Sequence, residues 1–332
     1  MTKPRNWLFE FEALRGLSIV LLFFLHAGVF GLSVFGWFEL DPVALFAASF
    51  LLGSFFFLAG YFFDMSIQRH SKDLWRFIYS RFIRIYPPYW LALSFFTMMF
   101  TLRKRELLVY LLNLQIVFSP AYVKPLLTLW YVSLLVIFYV IFGLLIWRLR
   151  SNLSLFIGSF AVFGVIYIIH LLTDLFDERA FMYYFVFLAG IYFFRFEDLR
   201  VRLFQIPFRY KILTAAVGVF IFWFVQMLGL QTRNWLFIAA ADFFILAWVL
   251  LSLSIFRTKI GNWKMWAFLS TASYFAYLLH RPIWYGLEFI FSPADGGAIT
   301  FFRAVPASGV VLLVAYFLQF GYDRLLAALH LK

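Results

Sequence analysis

The sequence contains no cysteine. That excludes disulfide cross-links, thiolate metal sites and a thiol nucleophile. Charge is scarce too: 13% of the 332 residues are Asp, Glu, Lys or Arg, while 65% are hydrophobic. A soluble domain carries roughly 25% charged residues, so an ordinary water-soluble fold is excluded. No HExxH or Cys/His grouping occurs, and no metal is expected. Neither a G-x-S-x-G elbow nor a GxxxxGK[ST] loop is present. Strict alternation of apolar and polar residues is missing as well. LLVIFYVIFGLLI (134–146) is apolar all round, which excludes a transmembrane β-barrel.

What the chain does have is aromatic and aliphatic bulk, with 49 Phe and a mean hydropathy of +0.91. Apolar runs of bilayer-crossing length recur throughout. They predict an all-α polytopic membrane protein with about ten transmembrane helices. The spans fall near 15–36, 44–64, 83–101, 126–147, 153–172, 181–195, 212–229, 235–256, 266–290 and 300–320. With the N-terminus inside, inner segments hold 20 of the 28 Lys and Arg residues, which favours both termini in the cytoplasm. The net charge of +12 is then a topology signal, and no nucleic-acid partner is expected. Arg103, Lys104 and Arg105 oppose that bias. ELLVYLLNLQIVF (106–118) is too short to cross comfortably and reads as an interfacial or re-entrant helix. No signal-peptide cleavage pattern follows the first apolar run, and no internal repeat is evident. The expectation is one domain over 1–332 with no appended soluble domain.

Several ionisable residues lie inside the greasy runs, where an unpaired polar group is costly. In EALRGLSIVLLFFLH (12–26), His26 lies eleven positions after Arg15, with ten residues between them. At 100° per residue they share one helix face, about 16 Å apart along the axis. Arg15 then sits near the inner boundary, where snorkelling explains it as well as function does. His26 lies past the midplane, where a reactive site is the better reading. In RFIRIYPPYW (81–90), Arg81 and Arg84 point to one side of a helix start, preceded by Lys72 and Arg76. Such a cluster either clamps phosphates or sets topology. Pro87 and Pro88 should disturb the helix that follows. SYFAYLLHRPIW (273–284) supplies His280 at a depth comparable to His26, with Arg281 beside it. Asp242 and Glu288 are acids able to pair with Arg281 or His280.

These stretches, in this order, resemble the acyltransferase-3 family of integral-membrane O-acyltransferases. The motifs are EALRGLSIVLLFFLH (12–26), SFFFLAGYF (54–62), RFIRIYPPYW (81–90), LWYVSLLVIFY (129–139) and SYFAYLLHRPI (273–283). The resemblance implies a multi-pass enzyme of the bacterial inner (cytoplasmic) membrane. It would take an acyl group, acetyl by expectation, from cytosolic acyl-CoA to a hydroxyl of a cell-envelope or exported polysaccharide. By match to the family's motifs, Arg15 and His26 become the functional pair, and Arg81 and Arg84 the contacts to coenzyme A. Lys72 and Arg76 are expected beside them, and His280 is expected to orient His26 or hold the oxyanion. The implied partners are acyl-CoA, a glycan acceptor, the bilayer, and a second copy of the chain or a glycan-biosynthesis protein. Two departures stand out. Ala59-Gly60 replaces a common Ser-Gly, and Leu135 and Val136 stand where a large subgroup has acidic residues.

Acyl transfer to an alcohol needs a base, charge relief for the oxyanion and a grip on the donor. Histidine suits the first need, as general base or as a transient acyl carrier. Trp130 and Tyr139 are read as cavity packing. The alternative class is a transporter or flippase for a lipid-linked glycan, with the histidines as a proton relay.

Overall fold

The computed structural model describes residues 9–31, 33–34, 38–39, 41–69, 73–100 and 102–329. In lipid every backbone polar group must be satisfied within its own segment, and the apolar runs answer by forming helices. In chain order these are α1 (Phe9–Ala27), α2 (Asp41–Arg69), α3 (Leu74–Met99), α4 (Lys104–Leu111) and α5 (Gln115–Phe118). Then come α6 (Trp130–Arg148), α7 (Asn152–Thr173), α8 (Arg179–Arg195), α9 (Glu197–Gln205) and α10 (Phe208–Met227). The chain continues through α11 (Trp235–Phe256), α12 (Lys264–Phe291), α13 (Gly297–Phe302) and α14 (Ser308–Ala328). Apart from a two-residue antiparallel ladder, Ser33–Val34 with Phe38–Glu39, the described residues are helical or connecting.

Among the described residues six helices are long and apolar enough to cross a membrane: Val43–Arg69, Leu127–Arg148, Asn152–Thr173, Phe208–Met227, Trp235–Phe256 and Gly297–Ala328. A seventh is added if α8 and α9, bent by 99° at their junction, count as one span. Three further long helices, α1, α3 and α12, coincide with expected spans but fall outside this set. They carry Glu10, Glu12 and Arg15; Arg76, Arg81 and Arg84; and Lys264, Arg281 and Glu288. These three more polar helices carry Arg15, Arg81, Arg84 and both candidate histidines.

Boundaries differ where local chemistry overrides hydropathy. The first span was expected over 15–36, but α1 stops at Ala27 because Gly28 takes φ +87°, a left-handed cap open to glycine. Segment 106–118 is split into α4 and α5 around Asn113 at φ +58°, and neither piece is long enough to cross. The prolines do not break α3. Pro87 frees the Ile83 carbonyl, and the Tyr322 hydroxyl of α14 donates to it instead.

Packing is closest where side chains are smallest. A Cβ on Gly190 of α8 would lie 2.1 Å from the Phe57 carbonyl oxygen, and one on Gly60 of α2 would lie 2.1 Å from that of Phe187. Two backbones meet there with nothing flexible between them. Gly60 therefore serves helix contact, with no chemistry attached. On the same pair of helices, Arg195 forks onto the fully buried Asp64 at 2.8 and 3.0 Å and donates to Asn152 of α7 at 3.0 Å. Gly190→Ala should force the helices apart and destabilise the protein by at least about 1–3 kcal/mol. Thermal unfolding in detergent checks this against Gly164→Ala, whose added methyl meets nothing within 4 Å. Equal transition temperatures for the two variants would refute the contact.

Candidate active site

Helices α1, α2, α3, α6, α12 and α14 enclose a cavity of about 270 Å³. Arg15 enters it from α1, and Arg81 and Arg84 from α3. Tyr131 and Tyr139 of α6 and Tyr274 and Tyr277 of α12 supply aromatic lining, and Gln319 and Asp323 of α14 add polar lining. Tyr274 is held by a hydrogen bond from its hydroxyl to the Ile85 carbonyl at 2.9 Å, just before the two prolines. The Arg15 guanidinium lies over the Phe62 ring at 5.3 Å, and Arg81 lies over Phe77 and Tyr139 at 5.3 and 5.5 Å. Among the described residues neither Arg15 nor Arg81 has a carboxylate within 4.0 Å, and Arg81 Nε has no hydrogen-bond partner. Aromatic faces offer a guanidinium weak compensation, so two such groups in one cavity make a receptor for an anion. Their forked donors match the paired oxygens of a phosphate.

Deeper along α1 and α12, the two histidines meet. His26 Nδ1 lies 2.8 Å from His280 Nε2, with the rings 5.0 Å apart and inclined by only 6°. The carbonyls around His280 fix the tautomers. Its Nδ1 faces the Tyr277 oxygen at 2.9 Å and the Ala276 oxygen at 3.2 Å. A carbonyl can only accept, so Nδ1 of His280 carries the proton. In the neutral ring Nε2 is then the acceptor, and His26 Nδ1–H donates to it. His26 is left with a lone pair on Nε2, which has no partner among the described residues. A ring locked in one tautomer with its other nitrogen bare is equipped to take a proton or attack a carbonyl.

The cavity does not extend to this pair. Its wall ends at Tyr277, whose carbonyl accepts from His280 and whose hydroxyl donates to the Thr128 carbonyl at 2.6 Å. One helical turn of α12 thus separates the arginine chamber from the histidines.

Other expected residues fall differently. Arg76 is exposed at the start of α3 and does not line the cavity; its backbone N–H donates to the capping carboxylate of Asp73. Lys72 lies outside the described residues, as do His70 and His330. Glu288 pairs with neither Arg281 nor His280, because Arg303 forks onto it at 2.5 and 2.9 Å. Asp242 is buried with Oδ1 unpartnered, and it makes no ion pair with Arg281. Tyr139 lines the cavity as packing would require, whereas Trp130 instead carries the Arg179 guanidinium 4.5 Å above its ring. Leu135, standing where an acid was absent, faces the cavity. Residue order alone missed Tyr131, Tyr274, Tyr277, Gln319 and Asp323. For the last two a signal existed: polar side chains four apart, one helical turn, late in an apolar span.

No curated protein and no solved structure matches the chain. An acyltransferase domain does, over residues 8–320, nearly its whole length. That match takes in both histidines and all three cavity arginines, and the chain belongs to the acyltransferase-3 family.

Proposed function

We propose that the protein is a membrane-embedded O-acyltransferase that moves an acyl group, acetyl by expectation, from cytosolic acyl-CoA to a hydroxyl of a cell-envelope or exported polysaccharide. In this reading a single domain crosses the bacterial inner membrane ten times with both termini in the cytoplasm, α1, α3 and α12 being spans whose polar residues face inward. The observation that carries the reading is the 2.8 Å contact of His26 Nδ1 with His280 Nε2, which leaves His26 Nε2 bare beyond an arginine-lined chamber.

In this reading the roles follow depth. Coenzyme A phosphates cannot enter hydrocarbon cheaply, so they stay at the inner mouth with Arg15, Arg81 and Arg84. The pantetheine arm carries the thioester past Tyr277 towards His26. The acceptor hydroxyl gives its proton to His26 Nε2 as its oxygen bonds to the thioester carbon, and the carbonyl electrons move onto oxygen. The tetrahedral oxyanion then collapses, the C–S bond breaks, and the departing thiolate takes the proton from His26. His280 is a positioning residue, since it holds His26 in the productive tautomer. A transient acyl group on His26 Nε2 uses the same lone pair.

Incubating purified protein with radiolabelled acetyl-CoA and a crude envelope-glycan fraction should move label into glycan. Accumulation of label only as free acetate, or no consumption of donor, would overturn the reading. A proton relay in a transporter uses the same histidines but transfers no label.

A further inference from the structure

The reaction leaves one requirement without an owner, a group that meets the negative oxygen of the tetrahedral species. Two buried donors close to His280 along α12 have no partner among the described residues. Trp284 is 3% exposed, and its Nε1–H has no acceptor. Arg281 Nε is buried and likewise unpartnered. The carboxylate nearest in sequence, Glu288, is committed to Arg303, so Arg281 has no ion-pair partner among the described residues. A buried indole or guanidinium N–H left unmatched is costly.

Their position is specific. At 100° per residue, Trp284 lies about 40° round α12 from His280, on the same face, and Arg281 about 100° round, at the edge of that face. The Trp284 ring stands edge-on to His280, with centroids 5.1 Å apart, and also touches Phe23 at 5.9 Å. Phe23 precedes His26 by one turn of α1 and itself packs on His280 at 5.9 Å. The indole therefore belongs to the same nest of α1 and α12 side chains as the imidazole pair.

We infer that Trp284 Nε1–H and the Arg281 guanidinium form an anion subsite beside His26 that receives the oxygen of the tetrahedral species. The inference rests on the acyl-transfer reading and adds the residues that stabilise its charged intermediate. Histidine supplies no fixed donor to that oxygen: one nitrogen of His26 is turned to His280 and the other takes the proton.

The test uses full-length protein in detergent and two probes. One is free coenzyme A; the other is coenzyme A S-alkylated with a methylphosphinate group, a tetrahedral anion standing in for the oxyanion. Trp284→Phe keeps a ring without the N–H, and Arg281→Gln removes the charge. Both variants should bind coenzyme A within twofold of wild type and the phosphinate at least tenfold more weakly. In turnover, kcat should fall tenfold or more with the donor KM little changed. Wild-type affinity for the phosphinate in both variants, or equal loss of both probes, would overturn the subsite while leaving the acyltransferase reading. If wild-type protein bound neither probe, the coenzyme A reading itself would fall, and the subsite with it.

Discussion

Replacing His26 with glutamine should lower kcat for acyl transfer by about a thousandfold, within the 10²–10⁴ range of a lost general base. The loss should be confined to chemistry, since the arginine chamber lies about three turns of α1 away and the donor should bind as before. His280→Phe should show a smaller fall, because it removes the group that holds the His26 tautomer and spares the reacting nitrogen. Steady-state kinetics with acetyl-CoA separates the two. Transfer by His26→Gln at the wild-type rate would end the mechanism. A single-turnover experiment without acceptor divides the remaining routes. Label retained on wild-type protein and lost in His26→Gln marks an acyl carrier, and no label on either marks a base.

Loss of donor affinity should follow substitution of Arg15 or Arg81 by glutamine, about ten- to a hundredfold for each. A hydrogen bond to a charged group contributes roughly 1.5–3 kcal/mol, and 1.4 kcal/mol is a factor of ten. Among the described residues neither guanidinium has a carboxylate within 4.0 Å, so no close ion pair competes with a phosphate there. Direct titration with coenzyme A measures the effect. Arg76→Gln is the matched control, since Arg76 is exposed and off the cavity, and its affinity should stay within twofold. Indistinguishable titrations for Arg15→Gln, Arg81→Gln and Arg76→Gln would remove the donor from this chamber.

The histidine pair was legible in the residue order because helix rise is fixed. Equal depth in two spans is arithmetic, and the helices supplied the remaining step by bringing His26 and His280 together. Lateral neighbours are a different matter. Nothing in the order of residues says that Glu288 turns to Arg303, fifteen positions on, and away from Arg281. The fate of Pro87 was equally hidden, since the hydroxyl that rescues the Ile83 carbonyl comes from Tyr322, 239 positions away. Aromatic residues were silent for another reason. Where 24% of the chain is Phe, Trp or Tyr, no single one stands out until the helices assemble. Hydropathy, for its part, finds the apolar sheath better than α1, α3 and α12, whose polar faces dilute the signal.

Tyr277 joins two contacts that belong to different parts of one residue. Its main-chain oxygen steadies the His280 ring, while its phenol is pinned to Thr128 by a single hydrogen bond. Rotation about the Cα–Cβ bond would release the phenol and leave the main chain where it stands. The His280 tautomer is thereby held by main chain alone, and where the phenol lies does not alter it.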